Sequence, residues 1–392
     1  MACKHSPRVA IVYQYSAHYR LPIFRLLCRQ KDIEYTLITG EHIGTPPVEP
    51  IDPALAERPV EDGGLRWRFV RNRWCGQILW QHGVIRVALS TEYDAYIFLG
   101  CPFYLSTWVA ALAARLRGRR VLMWTHGYLR REGGLKGFIR RLFYLLGHGL
   151  LLYGNHAKTI AVEAGFDPKH LYVVYNSLDY DLQLECRRRL TPDLLRGVRN
   201  RLFPNNNHPV LLWIGRLTPQ KQLPMILAAV ERLRERGLEV NVLFVGDGPE
   251  RPRLEEHARR AGLDACVHFY GAAYEEEEIG QLIALSDLCI GPGEIGLTCM
   301  HALAYGTPVI THGDPDYQMP EYEAVVPNVT GLLFERGNVD DLADKVEQWL
   351  LEHPDREANR RPCQEVIESR YNPHYQQEVI AAAIMGDPAP SC

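Results

Sequence analysis

Short apolar runs alternate with amphipathic stretches along most of the chain. Residues 9–13, VAIVY, are a compact run of β-formers and predict a buried strand. Residues 21–27 suit a helix, 35–38 the next strand, 95–99 another strand, the Ala/Leu-rich 108–116 a helix, and 121–125 a strand again. Residues 42–64 are rich in Pro, Gly and acidic side chains and read as a long surface loop. This is the βαβ rhythm of a doubly wound parallel sheet.

The second half repeats the rhythm. Residues 210–214 predict a strand. Leu223, Ile226, Leu227, Val230 and Leu233 keep one helical face apolar until Gly237. Residues 240–245 run as a strand into GDGPE, and Leu254, Ala258 and Ala261 mark a helix closed by Gly262. Residues 267–270, 288–290 and 309–311 predict further buried strands, and 340–351 a helix. The fold class is therefore α/β, two Rossmann-like doubly wound domains facing a deep cleft, where ligands of open α/β sheets bind by default. An N-terminal domain spans 1–182 and a C-terminal one 208–372. The polar stretch 183–207, with RRR at 187–189 and PNNN at 204–207, reads as the linker. The segment 373–392 carries a last amphipathic helix, roughly 374–385, expected to pack toward the N-terminal domain.

Length and composition refine this only slightly. The chain has 392 residues, 46% hydrophobic and 23% charged, which is ordinary for a globular protein. Residues 1–180 hold 23 Lys/Arg and 14 Asp/Glu, a balance of +9, and the remaining 21 and 33 give −12. A basic N-terminal half suits an anionic partner, a phosphorylated acceptor or a lipid headgroup surface, against the alternative of solvated helix faces. The ten cysteines, from Cys3 to Cys392, show no CxxC pair or zinc spacing. They are expected to be reduced thiols of a cytoplasmic protein, with Cys289 and Cys299 as packing residues. No apolar run has the length of a membrane span or a signal peptide, so any membrane contact would be peripheral, at the inner face of the cell membrane.

Two segments carry the chemistry. In WIGRLTPQKQ, 213–222, a strand ends, Gly215 turns the backbone, and Arg216 and Lys221 present two cations suited to a diphosphate. In GPGEIGLTCMHALAYGTPV, 291–309, a glycine-rich run enters a helix near Gly296, closed by Gly306 and Pro308. The amides of Gly296, Leu297 and Thr298 at its start form an anion site. If that helix begins at Glu294, His301 lies two turns away on the same edge. Taken singly, each segment also fits a plain reading, a loop with solvated cations and a capped core helix.

Together these pieces resemble the retaining family 4 glycosyltransferases, which have the GT-B fold. The resemblance rests on GRLTPQK (215–221), FVGDGPE (244–250), LSDLCIGPG (285–293), GLTCMHALAYGTPVI (296–310) and the TGLLF turn (330–334), in the expected order. HYRLPIF (18–24), THGY (125–128) and VVYNSLD (173–179) resemble the same family's acceptor domain less specifically. The resemblance implies a hexosyltransferase-type enzyme that moves a sugar from a nucleotide-diphosphate sugar to a glycan or lipid-linked acceptor in surface polysaccharide synthesis. Arg216 and Lys221 would stabilise the departing diphosphate, and His126 would sit near sugar and acceptor. Gly215, Gly246, Gly248, Gly293, Ile295, Gly296, Leu297, Thr298, His301 and Glu323 would bind donor, with Glu294 acting on the sugar. His18, Arg20 and Tyr128 fall on the acceptor side. One departure stands out: the family's E-x7-E pair is replaced by Gly293 and His301, with Glu294 displaced by one, which marks a sub-branch.

The resemblance also implies retention by front-face attack, without a side-chain nucleophile. No cofactor, metal or nucleic-acid partner is implied, because the two cations supply the charge a divalent ion would bring. Asp314-Pro315-Asp316 reads as a turn rather than a metal site. The basic segment YLRREGGLKGFIRRLFYLL, 128–146, would lie on an anionic membrane or grip a lipid diphosphate. Its competing expectation is an ordinary helix burying Phe138, Leu142 and Leu145. EEEE at 275–278 reads as a solvated helix start. Two other functions stay open: a nucleotide-sugar epimerase of the same fold, and an inactive nucleotide-binding scaffold.

Overall fold

A computed structural model describes residues 6–40, 49–205 and 207–388; the start of the 42–64 loop, Asn206 of the expected linker, Cys3 and Cys392 lie outside them. Two compact units emerge. The first comprises Met1–Asp179 with Asn372–Cys392, and the second Tyr180–Tyr371.

In the first unit the strands are β1 (Arg8–Val12), β2 (Glu34–Gly40), β3 (Trp67–Cys75), β4 (Ile78–His82), β5 (Ala95–Leu99), β6 (Arg120–Thr125), β7 (Gly149–Leu152) and β8 (Leu171–Val173). The helices are α1 (Leu21–Arg29), α2 (Val84–Leu89), α3 (Leu105–Leu116), α4 (Gly134–Tyr144) and α5 (Asn155–Glu163). The strand order is β4-β3-β2-β1-β5-β6-β7-β8, all parallel except the β3–β4 hairpin. Alternation of side chains across each strand makes two cores. Val9, Ile11, Ile97 and Trp124 face one way, Ala10, Val12, Phe98 and Met123 the other. Strands covered on both faces need apolar residues at every position, so they show as continuous runs. The hairpin is absent from the apolar pattern because it lies at the sheet edge, where β3 carries Arg68, Arg71 and Arg73 and β4 alternates exposed with buried positions. Gly76, φ 57°, opens its two-residue turn.

The second unit orders β9 (Val210–Ile214), β10 (Asn241–Val245), β11 (Val267–Gly271), β12 (Leu288–Gly291), β13 (Val309–His312) and β14 (Gly331–Phe334) as β11-β10-β9-β12-β13-β14, all parallel. Its helices are α6 (Tyr180–Arg189), α7 (Pro192–Leu202), α8 (Pro224–Glu235), α9 (Arg251–Arg260), α10 (Glu276–Ala284), α11 (Leu297–Ala304), α12 (Val339–Glu352) and α13 (Arg356–Ser369). The stretch expected as a linker is thus α6 and α7. Thr191 caps α7 by accepting from the Leu194 amide, Cys186, Leu195 and Val198 are buried, and Arg187 and Arg199 turn inward to Glu368 and Asp287 (2.8 and 3.2 Å) while Arg188, Arg189, Arg196 and Arg201 stay exposed. The TGLLF segment, expected as a turn, supplies strand β14.

The last helix, α14 (Pro373–Met385), belongs to the first unit and contributes Val379, Ile380 and Ala383 to its core. Asn372 caps it through the Tyr375 amide (2.9 Å), and Ser177 Oγ donates to Gln376 Oε1 at 2.7 Å.

Candidate functional site

In the second unit the chain leaves β9 and β12 in opposite directions, which is the topological switch point of the sheet. The loops after β9, β10 and β12 are packed backbone to backbone. A Cβ at Gly246 (φ 136°) would stand 2.0 Å from the Gly215 carbonyl oxygen, and one at Gly293 would stand 2.2 Å from that of Gln220. These glycines therefore hold three strand-end loops together. Gly215 donates its amide to Val245 O (2.9 Å), and the Gly248 amide is taken by Asp247 Oδ1 (2.7 Å).

Lys221 ends a short 3₁₀ turn, Pro219–Lys221, and points back at the β12 loop. Its Nζ donates to Glu294 O (2.5 Å), while the Gly293 amide donates to Lys221 O (3.1 Å). Burial draws the Lys221 ammonium below its ordinary range; the charges of Glu294 and Glu321 push it back up. Arg216, by contrast, is exposed and makes no side-chain hydrogen bond or ion pair among the described residues. One cation is locked and one is free to meet a ligand.

Helix α11 begins at Leu297, because Gly296 (φ 56°, ψ −143°) is not helical. Glu294 consequently lies in the loop, and the two-turn relation to His301 expected from the sequence does not hold. Thr298 Oγ1 donates to Ile214 O (2.8 Å), which ties the helix start to the end of β9. The amides of Gly296, Leu297 and Thr298 sit at the helix start, where intrahelical acceptors are missing and the dipole favours anions. Ile295 buries its side chain and gives its amide to Gln318 Oε1 (3.1 Å). Gln318 Nε2 donates to Gly293 O (3.1 Å) and Thr311 Oγ1 (2.7 Å). This buried amide shapes the loop and carries no sequence signal beyond its place after the D-x-D turn. In that turn Asp314 accepts from the Asp316 amide (3.2 Å), as a turn residue does.

His301 is engaged within the unit. Its Nε2 lies 2.9 Å from Glu276 Oε1, which also accepts from Tyr305 OH (2.8 Å). Glu276, expected to be solvated, is thus partly buried in a His–Glu–Tyr cluster. Burial alone would raise its carboxyl, but the bonds from His301, Tyr305 and Gln183 bring it below the ordinary range. Glu323 is half-buried in the turn Pro320–Ala324, whereas its neighbour Glu321 is 2% exposed and is the one whose charge acts on Lys221.

The first unit holds its own cavity, about 810 Å³, at the C-terminal ends of β1, β5, β6 and β7. This is the switch point of that sheet, between β1 and β5. Tyr13, Tyr15, Tyr19, Phe103, Tyr104 and Tyr153 line it with Arg20, Arg130, Arg131, Lys136 and Arg140. The single lining carboxylate, Glu132, pairs with Arg140 (2.6 Å) and Lys136 (2.9 Å). Arg20 is buried under the Trp124 ring (4.9 Å) and donates to Tyr153 OH. His126 lines the cavity beside Tyr153, ring centroids 4.6 Å apart, and its buried Nδ1 has no hydrogen-bond partner among the described residues. Burial, with Arg20 nearby, lowers the imidazole to about 4, so it is neutral at pH 7.

Of the other residues expected here, His18 is exposed, its Nδ1 3.2 Å from Glu49 O, and does not line the cavity. Tyr128 packs into the core edge-on to Tyr144 (5.5 Å), and burial raises its phenol to about 12. The tyrosines after β1 follow no recognisable spacing; Arg20, His126 and the basic run at 130–140 are the residues of this cavity that the sequence singles out. Phe138, Leu142 and Leu145, expected as buried if 128–146 were an ordinary helix, are exposed.

Among the described residues no helix is long and apolar enough to cross a membrane.

Residues 198–363 match the family model "Glycosyl transferases group 1". The chain is similar to 2-deoxystreptamine glucosyltransferase of Streptomyces kanamyceticus, 24% identical over 320 residues, 78% of this chain and 76% of the relative. It is also similar to the D-inositol 3-phosphate glycosyltransferase of Geodermatophilus obscurus, 29% identical over 209 residues, 50% of this chain but 44% of that longer relative. Among solved structures, Anabaena HepE in complex with UDP superposes with a TM-score of 0.71, at 20% identity, over 97% of this chain and 99% of its own. The chain is therefore a glycosyltransferase with the GT-B fold, and residues 198–363 are the part similar to the group 1 model.

Proposed function

We propose that the chain transfers a sugar from a nucleoside-diphosphate sugar, with retention, to a phosphorylated or otherwise anionic acceptor carried on a lipid, in the building of a surface polysaccharide. The observation that carries this is the pairing of a locked Lys221 with a free Arg216 at the switch point, beside the amides that open α11. Negative charge grows on the diphosphate as the glycosidic bond breaks. The two cations and a helix start answer that charge in the transition state more than in the ground state. Because they supply the countercharge, no divalent ion is needed. The complex of HepE with UDP supports uridine diphosphate as the first donor carrier to try.

The acceptor reading rests on the cavity of the first unit. Its tyrosines offer apolar faces for a sugar ring, and its arginines and lysine suit phosphate or carboxylate. Neutral His126, with a buried nitrogen unsatisfied by protein, would hydrogen-bond a hydroxyl of sugar or acceptor. In front-face attack the acceptor's proton passes to the departing phosphate, so His126 positions rather than abstracts.

The test is a thermal-shift panel with UDP, GDP and ADP and their sugars, run beside Arg216→Ala. One base at about 100 times its dissociation constant should stabilise by roughly 2.7 kcal/mol, and the variant should lose most of the shift. Turnover should need acceptor, survive EDTA, and give product of the donor's anomeric configuration by NMR. Conversion of the donor sugar without acceptor would instead establish an epimerase, and no shift with any nucleotide would sink the donor site.

A further inference from the structure

Helix α3 reads LSTWVAALAARL, with no charge before Arg115. A helix apolar all round is normally buried. Here Ala110, Ala111 and Ala114 pack into the core, while Leu105, Val109, Leu112 and Leu116 stay exposed at 45, 44, 48 and 80%. Their spacing of four, three and four places them on one outward stripe. Helix α4 repeats the arrangement. Phe143 and Tyr144 are buried, while Leu135, Phe138, Ile139 and Leu142 are exposed at 73, 56, 42 and 41%. The two helices are neighbours on the same side of the sheet, with Trp108 and Phe143 rings 4.9 Å apart and Arg115 hydrogen-bonded to the carbonyl of Leu145. Eight large apolar side chains thus stand outward on two neighbouring helices, more than the single scattered exposures expected on a soluble surface.

Charge selects the occupant. Between residues 95 and 162 the sequence holds ten Lys/Arg and one carboxylate, Glu132. Glu132 is already paired with Lys136 and Arg140. Arg115, Arg117, Arg130 and Arg141 are exposed around the apolar stripes. A second copy of the chain would bring the same positive charge to the same face, which disfavours self-association. An anionic bilayer offers acyl chains to the stripes and headgroup phosphates to the rim.

From this we infer that the outer faces of the neighbouring helices α3 and α4 together dock the enzyme on an anionic membrane surface. Leu129, Arg130, Lys136 and Arg140 line the cavity of the same unit, so the docking face continues into its wall. A lipid-held acceptor would then reach the cavity from the bilayer. That use rests on the proposed acceptor, but docking is read separately from turnover.

The experiment is co-sedimentation of the full chain with vesicles of phosphatidylcholine alone and of phosphatidylcholine with phosphatidylglycerol. The wild type and the quadruple variant Leu112→Glu, Leu116→Glu, Leu135→Glu, Phe138→Glu are compared. None of the four lines the cavity. We expect wild type to bind the anionic vesicles at least tenfold better than the neutral ones, with binding weakened by salt. The variant should lose at least tenfold in binding while keeping its circular dichroism and its UDP-induced thermal shift. Equal binding by variant and wild type, or no binding by wild type, overturns the inference. So does a wild-type dimer in light scattering that the variant dissolves without vesicles. Should the quadruple variant misfold, the pair Leu112→Glu, Leu116→Glu carries the same comparison.

Discussion

The two switch-point regions are built from different material. In the second unit the loops after β9, β10 and β12 are made of backbone in close contact, and glycines at 246 and 293 are the condition of that contact. In the first unit the cavity wall is built largely of side chains, six aromatics and five cations from the segments that follow four strands and from α4. A backbone-built site constrains residue type at fixed positions along one loop, because only glycine tolerates the approach. A side-chain-built site constrains shape and charge, which many residues at many positions satisfy.

The sharpest way to break this comparison is to remove the cations. Arg216→Ala and Lys221→Ala should each lower kcat by about 10²- to 10³-fold, with the melting temperature of the Arg216 variant unchanged because its side chain has no partner among the described residues. If Arg216→Ala alters only the acceptor KM, the assignment of diphosphate to the second unit falls. Gly246→Ala should destabilise by about 3 kcal/mol or more in urea unfolding, since its Cβ would overlap the Gly215 carbonyl. Gly237→Ala, with positive φ but open space, should cost only about 1 kcal/mol.

His126 sharpens the side-chain half of the comparison. Its folded value of about 4 lies below the ordinary 6.5, so between those pH values the unfolded chain binds a proton that the folded chain does not. Stability from this group is complete above pH 6.5 and is lost as pH falls toward 4, on the order of 3 kcal/mol in all. His126→Asn should flatten that part of the stability profile. Gln318→Leu should raise the donor KM about tenfold, the loss of roughly one net hydrogen bond's worth of loop order, with the acceptor KM unchanged. The smallest effect belongs to Tyr19→Ala in the cavity wall. A change of a few-fold in acceptor KM, near 1 kcal/mol, with the donor KM untouched, would confirm that the two regions act on different substrates.

Most of the buried strands were legible because parallel strands covered on both faces must be apolar throughout. The edge hairpin β3–β4 was not, since its Arg and aromatic side chains answer to solvent on one side. Helices α6 and α7 were hidden by their arginines, which read as a polar linker although Cys186, Leu195 and Val198 are buried and Arg187 and Arg199 pair inward with Glu368 and Asp287. At the site, Arg216, Lys221 and the glycines stood out locally, whereas Gln318, Glu321 and the cavity tyrosines did not. Glu321 acts on Lys221 across a hundred residues, and no spacing announces such a neighbour.

By itself the sequence determined the α/β alternation, the glycine-dependent loops, the two cations and the basic character of the first half. Each follows from period, backbone sterics or net charge, which are properties of local sequence. Tertiary structure alone decided that His301 is held by Glu276 and Tyr305, that Glu294 lies outside α11, and that Tyr128 is core while Tyr19 and Tyr153 line a cavity. It also decided that the apolar stripes of α3 and α4 face outward. Partner and exposure depend on which distant elements the fold brings alongside, and a one-dimensional pattern has no term for that.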